Sequence, residues 1–122
     1  KMTNFEIYNA AMSLMNVLND PEQRFPVKVN FYMQKNKSTL FALAQDIDNA
    51  RLEIIKNYGT ISDEDESQYL IDADKVEVAQ KELNDLFNLE QEVNIYKVDI
   101  DSLPDDISLT AGQMEALLFM IN

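Results

Sequence analysis

The sequence contains no histidine, no cysteine and no tryptophan, and only two glycines, Gly59 and Gly112. Each absence excludes chemistry. Without His or Cys there is no Ser-His-Asp triad, no cysteine nucleophile and no zinc site of the usual ligand types. Disulfides are impossible, so cysteine usage carries no sign of compartment. Two glycines cannot build a glycine-rich phosphate loop. Positive charge is scarce too: 10 Lys and Arg stand against 22 Asp and Glu, a formal net charge of −12. No run reaches the ~18 apolar residues of a membrane span. No basic-then-apolar leader is seen, so the expected address is the cytoplasm. What is present is a chain of 122 residues, 46% apolar, which suits one domain with a buried core.

The acidity is uneven. Residues 1–58 carry seven basic and six acidic groups, net +1, whereas residues 59–122 carry three basic and sixteen acidic groups, net −13. The acidic half repels phosphate, so neither direct nucleic-acid binding nor an anionic membrane is expected there. It suits a basic protein surface. The plainer reading is that the charge keeps a small protein soluble.

Thr3-Asn4-Phe5-Glu6 reads as a capping box opening a helix over 4–19, with Ile7, Ala11, Leu14, Met15 and Leu18 on one face. Asn19-Asp20-Pro21 ends it. A long helix is expected over 27–58, with Gly59 as its C-terminal cap. Its stripe runs through Val29, Met33, Asn36, Leu40, Leu43, Ala44, Ile47, Arg51, Ile54, Ile55 and Tyr58. Within it, Leu40, Ala44, Ile47, Arg51, Ile54 and Tyr58 follow heptad spacing. At roughly 45 Å such a helix must pack on another long helix, on a second copy of the chain, or on both. A homo-oligomer is therefore expected.

Residues 60–72 read as an acidic loop with four consecutive acids, Asp63 to Glu66. As a calcium loop it fails, because Gln68 stands where glycine is required and Asp74 where a bidentate Glu belongs. A third helix over 74–90 has an apolar face of Val76, Ala79, Leu83, Leu86 and Phe87, and folds back on the long helix as an antiparallel hairpin. Hairpin register puts Arg51 within reach of Glu82 or Asp85. Glu90 marks the fraying of this helix into the next element. Alternation of Tyr96, Val98 and Ile100 with Lys97, Asp99 and Asp101 predicts a strand, pairing with Ile107–Leu109 in a small β-hairpin over 94–109. Thr110-x-x-Gln113 is a second capping box, opening a last helix over 111–121. The expected fold class is α+β, mostly helical: a long antiparallel helical hairpin plus a short N-terminal helix, a small β-hairpin and a C-terminal helix, forming one domain over 1–122.

Three residue sets are candidates for function. The first is acidic: Asp74, Glu77, Asp85, Glu92, Asp99 and Asp101. A continuous face of such carboxylates imitates a nucleic-acid backbone and fits a basic groove. Asp99 and Asp101 could instead pair as Mg²⁺ ligands or as acid and base, but no third ligand has a defined place, so no metal, no cofactor and no catalysis are expected. The second set is the heptad stripe, for packing or oligomer contacts. The third is Arg24, Lys28, Phe31, Tyr32 and Lys35, basic and aromatic residues interleaved at the start of the long helix. These suit a nucleotide or a second interface, since Phe31 falls nearly opposite the apolar stripe.

Several stretches together carry a resemblance: Leu-Asn-Asp-Pro…Phe-Pro-Val-Lys-Val within 18–29, the pair Lys35-Asn36, Ala50 to Gly59, and Glu92-Val93-Asn94-Ile95-Tyr96-Lys97 leading to Leu109-Thr110…Met114-Glu115-Ala116-Leu117. The chain resembles a family of small proteins of unassigned function encoded by phages and prophages of Gram-positive bacteria. The likeness rests on helix starts and ends rather than on a chemical motif. It implies no catalytic residues. It implies a phage context, in which small acidic proteins serve as inhibitors of host defence or as assembly helpers. Three functional expectations follow. The first is a non-catalytic inhibitor of a basic, nucleic-acid-handling host defence effector such as a CRISPR nuclease. The second is a virion or tail-assembly helper acting through the helical apolar face. The third is an oligomeric sponge for a signalling nucleotide.

Overall fold

The computed structural model describes residues 1–21, 24–62, 64, 68–103 and 111–121. The architecture is mostly helical α+β. Strand β1 (Met2–Thr3) leads into helix α1 (Asn4–Leu18), followed by α2 (Val27–Tyr58), β2 (Gly59–Ile61) and β3 (Tyr69–Ile71). A 3-10 turn (Ala73–Lys75) then opens α3 (Val76–Asn88), which gives way to β4 (Glu90–Gln91); α4 (Ala111–Leu117) comes last.

Helix α1 starts where its capping box predicts. The Thr3 backbone N–H donates to Glu6 Oε1 at 2.9 Å, and the Glu6 N–H donates to Thr3 Oγ1 at 3.1 Å. Its buried row is Ile7, Ala10, Ala11, Leu14 and Val17; Met15 and Leu18, expected in that row, are half-buried. Helix α2 meets it with Val29, Met33, Leu40 and Ile47, all buried. Together with Val98, Leu117 and Met120 these residues make one core. No Gly or Pro interrupts residues 27–58, and Pro26 restricts the backbone just ahead of the helix, so 32 residues run as a single helix.

Helix α3 returns antiparallel along the C-terminal part of α2. Its middle reaches the α2 end, where the Tyr58 hydroxyl donates to Glu82 Oε1 at 3.0 Å. Its last turn reaches α1, where Phe87 and Tyr8 meet edge to face at 6.2 Å. The helix stops at Asn88, two residues before the expected end, because Glu90 and Gln91 pair antiparallel with Thr3 and Met2. Asn4 fixes this junction. It is buried, its Nδ2 donates to the Leu86 carbonyl at 2.8 Å, and its Oδ1 accepts from Gln91 Nε2 at 2.7 Å.

The β-hairpin lies elsewhere than the alternation predicts. β2 and β3 pair antiparallel, Gly59 opposite Ile71 and Ile61 opposite Tyr69, at the two ends of the segment expected to be a plain acidic loop. Beyond the paired strands the Ser62 N–H donates to the Gln68 carbonyl at 2.8 Å. In the expected hairpin over 94–109, Val98 instead bridges in parallel to Ile121, and Ile100–Ser102 forms a 3-10 turn. The expected partner strand, Ile107–Leu109, and Thr110 of the second capping box lie outside the described residues. Gln113 donates from Nε2 to Asp20 Oδ2 at 2.7 Å.

Candidate functional site

The acidic set is fully on the surface. Asp74, Glu77, Asp85, Glu92, Asp99 and Asp101 are all exposed. Asp74 in the 3-10 turn, Glu77 in the first turn of α3 and Asp85 in its last turn form one helical row, at spacings that keep one face. Glu92 follows β4, and Asp99 and Asp101 belong to the segment around the last-named 3-10 turn, so the set is a helical row plus residues carried by two other segments. Between described residues two ion pairs form, Lys75 with Asp72 at 3.4 Å and Arg51 with Asp48 at 3.0 Å. Lys97 donates instead to the Phe119 carbonyl at 2.7 Å.

The first half of the heptad stripe belongs to the core. Leu40 and Ile47 are buried, while Ala44, Arg51, Ile54 and Tyr58 are half-buried. α1 and α3 cover this stripe from within the same chain. Arg51 does not reach α3: its Nε bonds Asp48 one turn back, and Glu82 is taken by the Tyr58 hydroxyl. The phenolate would lose that hydrogen bond and face the carboxylate, which holds the Tyr58 pKa above the usual tyrosine range.

The third set is brought together, and it gains a member. Phe31 and Tyr32 rings lie 6.3 Å apart, and Tyr32 meets Tyr96 at 5.2 Å with a 35° tilt between planes. Lys28 Nζ sits 5.7 Å from the Tyr32 ring centre and Lys35 Nζ 5.5 Å from that of Phe31. Arg24 is exposed and its Nη1 donates to the Pro21 carbonyl at 2.7 Å. Tyr96 was not expected here. It is placed by Asn36, a fully buried amide whose Nδ2 donates to the Tyr96 carbonyl at 3.0 Å and whose Oδ1 accepts from the Tyr96 N–H at 2.8 Å. The signal was the polar residue inside the apolar stripe: a buried Asn must bond to something, and an extended backbone offers both a donor and an acceptor.

An open groove of about 610 Å³ runs between α1 and the C-terminal helix, lined by Met2, Phe5, Ala10, Ala116 and Phe119 with Glu6 and Glu115. Glu6 belongs to the capping box. That hydrogen bonding, first from the Thr3 backbone and then from its hydroxyl, holds the carboxyl below the usual glutamate range. Among the described residues no helix is long and apolar enough to cross a membrane. No family of known proteins, no curated protein and no solved structure matches the chain.

Proposed function

We propose that this chain is a non-catalytic binding protein that uses exposed acids of the second half of its sequence to engage a basic protein. In the finer form of this reading the partner is a nucleic-acid-handling effector of host defence, blocked in the cytoplasm of an infected bacterium. One observation carries the proposal. Residues 59–122 hold sixteen acids against three cations, and the Asp74, Glu77, Asp85 row stands exposed along the 3-10 turn and α3. A fixed row of carboxylates steers a basic partner and fixes its register, and its contribution is weakened by salt.

Affinity capture from a bacterial lysate on the immobilised chain tests this, run at low and at high salt beside Asp74→Lys/Glu77→Lys/Asp85→Lys. Basic proteins retained at low salt, released at high salt and absent from the variant are the expected result. Retention that ignores salt and survives the charge reversal overturns the reading.

The groove between α1 and the C-terminal helix favours a second reading, an assembly helper that holds an apolar helix of a partner, another copy of this chain included. Phe5, which lines it, stands 58% exposed. On that reading, Phe5→Glu abolishes capture while the acidic substitutions leave it intact. Sedimentation of the purified protein then shows whether copies of the chain associate.

A further inference from the structure

A second built surface draws most of its residues from the first half of the sequence, which is net +1. Residues 23–45 contain Arg24, Lys28, Lys35 and Lys37 and neither Asp nor Glu, a local +4 inside a chain of −12. These residues include the first half of α2, a helix with no acidic residue in its first turn. The helix dipole adds partial positive charge at the same end.

Three aromatic rings share this surface, and two are held largely outside the core. Phe31 is 52% exposed and Tyr96 47%. Tyr96 arrives from a segment sixty residues further along the chain, and the paired bonds of Asn36 lock its backbone. The fold uses one of its few buried polar side chains to lay an exposed ring against Tyr32.

We propose that Phe31, Tyr32 and Tyr96, with Lys28 and Lys35, bind a nucleobase linked to a phosphate. The base stacks on the rings and the lysines close on the phosphate. In the free protein the two ammonium groups rest over the Tyr32 and Phe31 faces. An exposed lysine–ring contact is weaker than a base stacked on a ring, so an arriving base displaces the lysines and frees them for the phosphate. An acidic peptide would satisfy the lysines and leave the rings idle. An apolar helix would cover the rings and have no use for the lysines. The chain's overall negative charge does not forbid the site, because at physiological ionic strength its field decays over about 8 Å.

The ligand chemistry could come from a free nucleotide or from a single strand. Two measurements at physiological ionic strength separate them: fluorescence anisotropy with labelled oligouridylate and oligothymidylate of about 12 nucleotides, and isothermal titration with a panel of mono- and cyclic dinucleotides. Binding is expected in at least one arm. Phe31→Ala and Tyr96→Ala each weaken it about tenfold, and Tyr96→Phe retains it. Lys28→Glu/Lys35→Glu also weakens it at least about tenfold, whereas Lys56→Glu/Lys81→Glu, an equal change of net charge on exposed residues elsewhere, leaves it within about twofold. Heat from nucleotides without strand binding assigns a free nucleotide, and strand binding assigns single-stranded nucleic acid. Silence in both arms, or equal losses from the two lysine pairs, overturns the proposal. Should an alanine variant lose helicity by circular dichroism, the two surface lysine pairs and Tyr96→Phe still decide.

Discussion

Asn36 is completely buried, with its amide bonded at both ends to the Tyr96 backbone and its Nδ2 also 3.6 Å from Met120 Sδ. Removing that side chain leaves a backbone N–H and C=O without partners and opens a cavity beside Met120. Asn36→Ala is therefore expected to cost about 2 kcal/mol in urea unfolding, the range for a buried polar group that loses its partner. A loss below about 0.5 kcal/mol, within the scatter of surface substitutions, would mean that something other than Asn36 holds the Tyr96 segment. Two groups, exposed Glu6 and half-buried Tyr58, contribute to the pH dependence of stability. The folded-state pKa of Glu6 is lowered, so its contribution is present above the unfolded value and is lost as pH falls through the folded one. That of Tyr58 is raised, so its contribution is present below the unfolded tyrosine value and is lost as pH rises through the folded one. Glu6→Gln should flatten the acid limb of a stability-versus-pH curve, and Tyr58→Phe the alkaline limb. Unchanged limbs would mean that neither hydrogen bond persists in solution.

The elements differ in how far local chemistry foretells them. α2 was legible because a stripe at helical spacing continues for 32 residues without Gly or Pro, and α1 because Thr3 and Glu6 form a reciprocal cap. The β structure was not legible. Tyr69–Ile71 is a short apolar run separated in sequence from its partner, Gly59–Ile61, by an acid-rich stretch, so composition argues for a loop while pairing makes a hairpin. Tyr96–Val98 does extend, but its hydrogen bonds go to Asn36 and to the C-terminal segment, contacts that no local pattern encodes. Of the candidate sites, the lysines and rings at the head of α2 were legible by their interleaving, and the Tyr96 that completes them was not. Gly59 gives the hairpin its test. It follows α2 as expected, yet it is extended, with φ −132°, and its need for glycine is steric. A Cβ there would stand 2.7 Å from the Leu70 carbonyl oxygen and 2.9 Å from that of Ile55, both fixed backbone atoms. Gly59→Ala should destabilise by about 1–3 kcal/mol, as overpacking does, and should raise amide exchange at Thr60 and Ile61 first. Uniform exchange with unchanged stability would mean that β2 and β3 separate easily.

Over the whole molecule, charge works against the compact state. Twenty-two carboxylates stand against ten cations, and sixteen of those carboxylates lie in one half of the sequence, with Lys75, Lys81 and Lys97 as its cations. Such self-repulsion is a cost that dissolved salt relieves, since screening shortens its reach from about 30 Å at 0.01 M to about 3 Å at 1 M. The thermal midpoint should therefore rise as salt is raised from about 0.01 M to about 0.5 M with a chloride salt, used because sulfate would strengthen burial directly. Asp85 identifies the effect at one position. It lies in the last turn of α3, where the dipole disfavours an anion and no basic residue stands. Asp85→Lys removes a repulsive charge and reverses an unfavourable dipole contact. It should stabilise by about 0.3–1 kcal/mol at low salt, with the gain shrinking as salt rises. Glu77→Lys, in the first turn of the same helix, should do the opposite at the dipole while making the same change in net charge. If both variants stabilise equally, net repulsion dominates; if they diverge, the helix terminus does. A midpoint that falls with added chloride would overturn the premise, because the carboxylates would then be held by attractions that salt weakens.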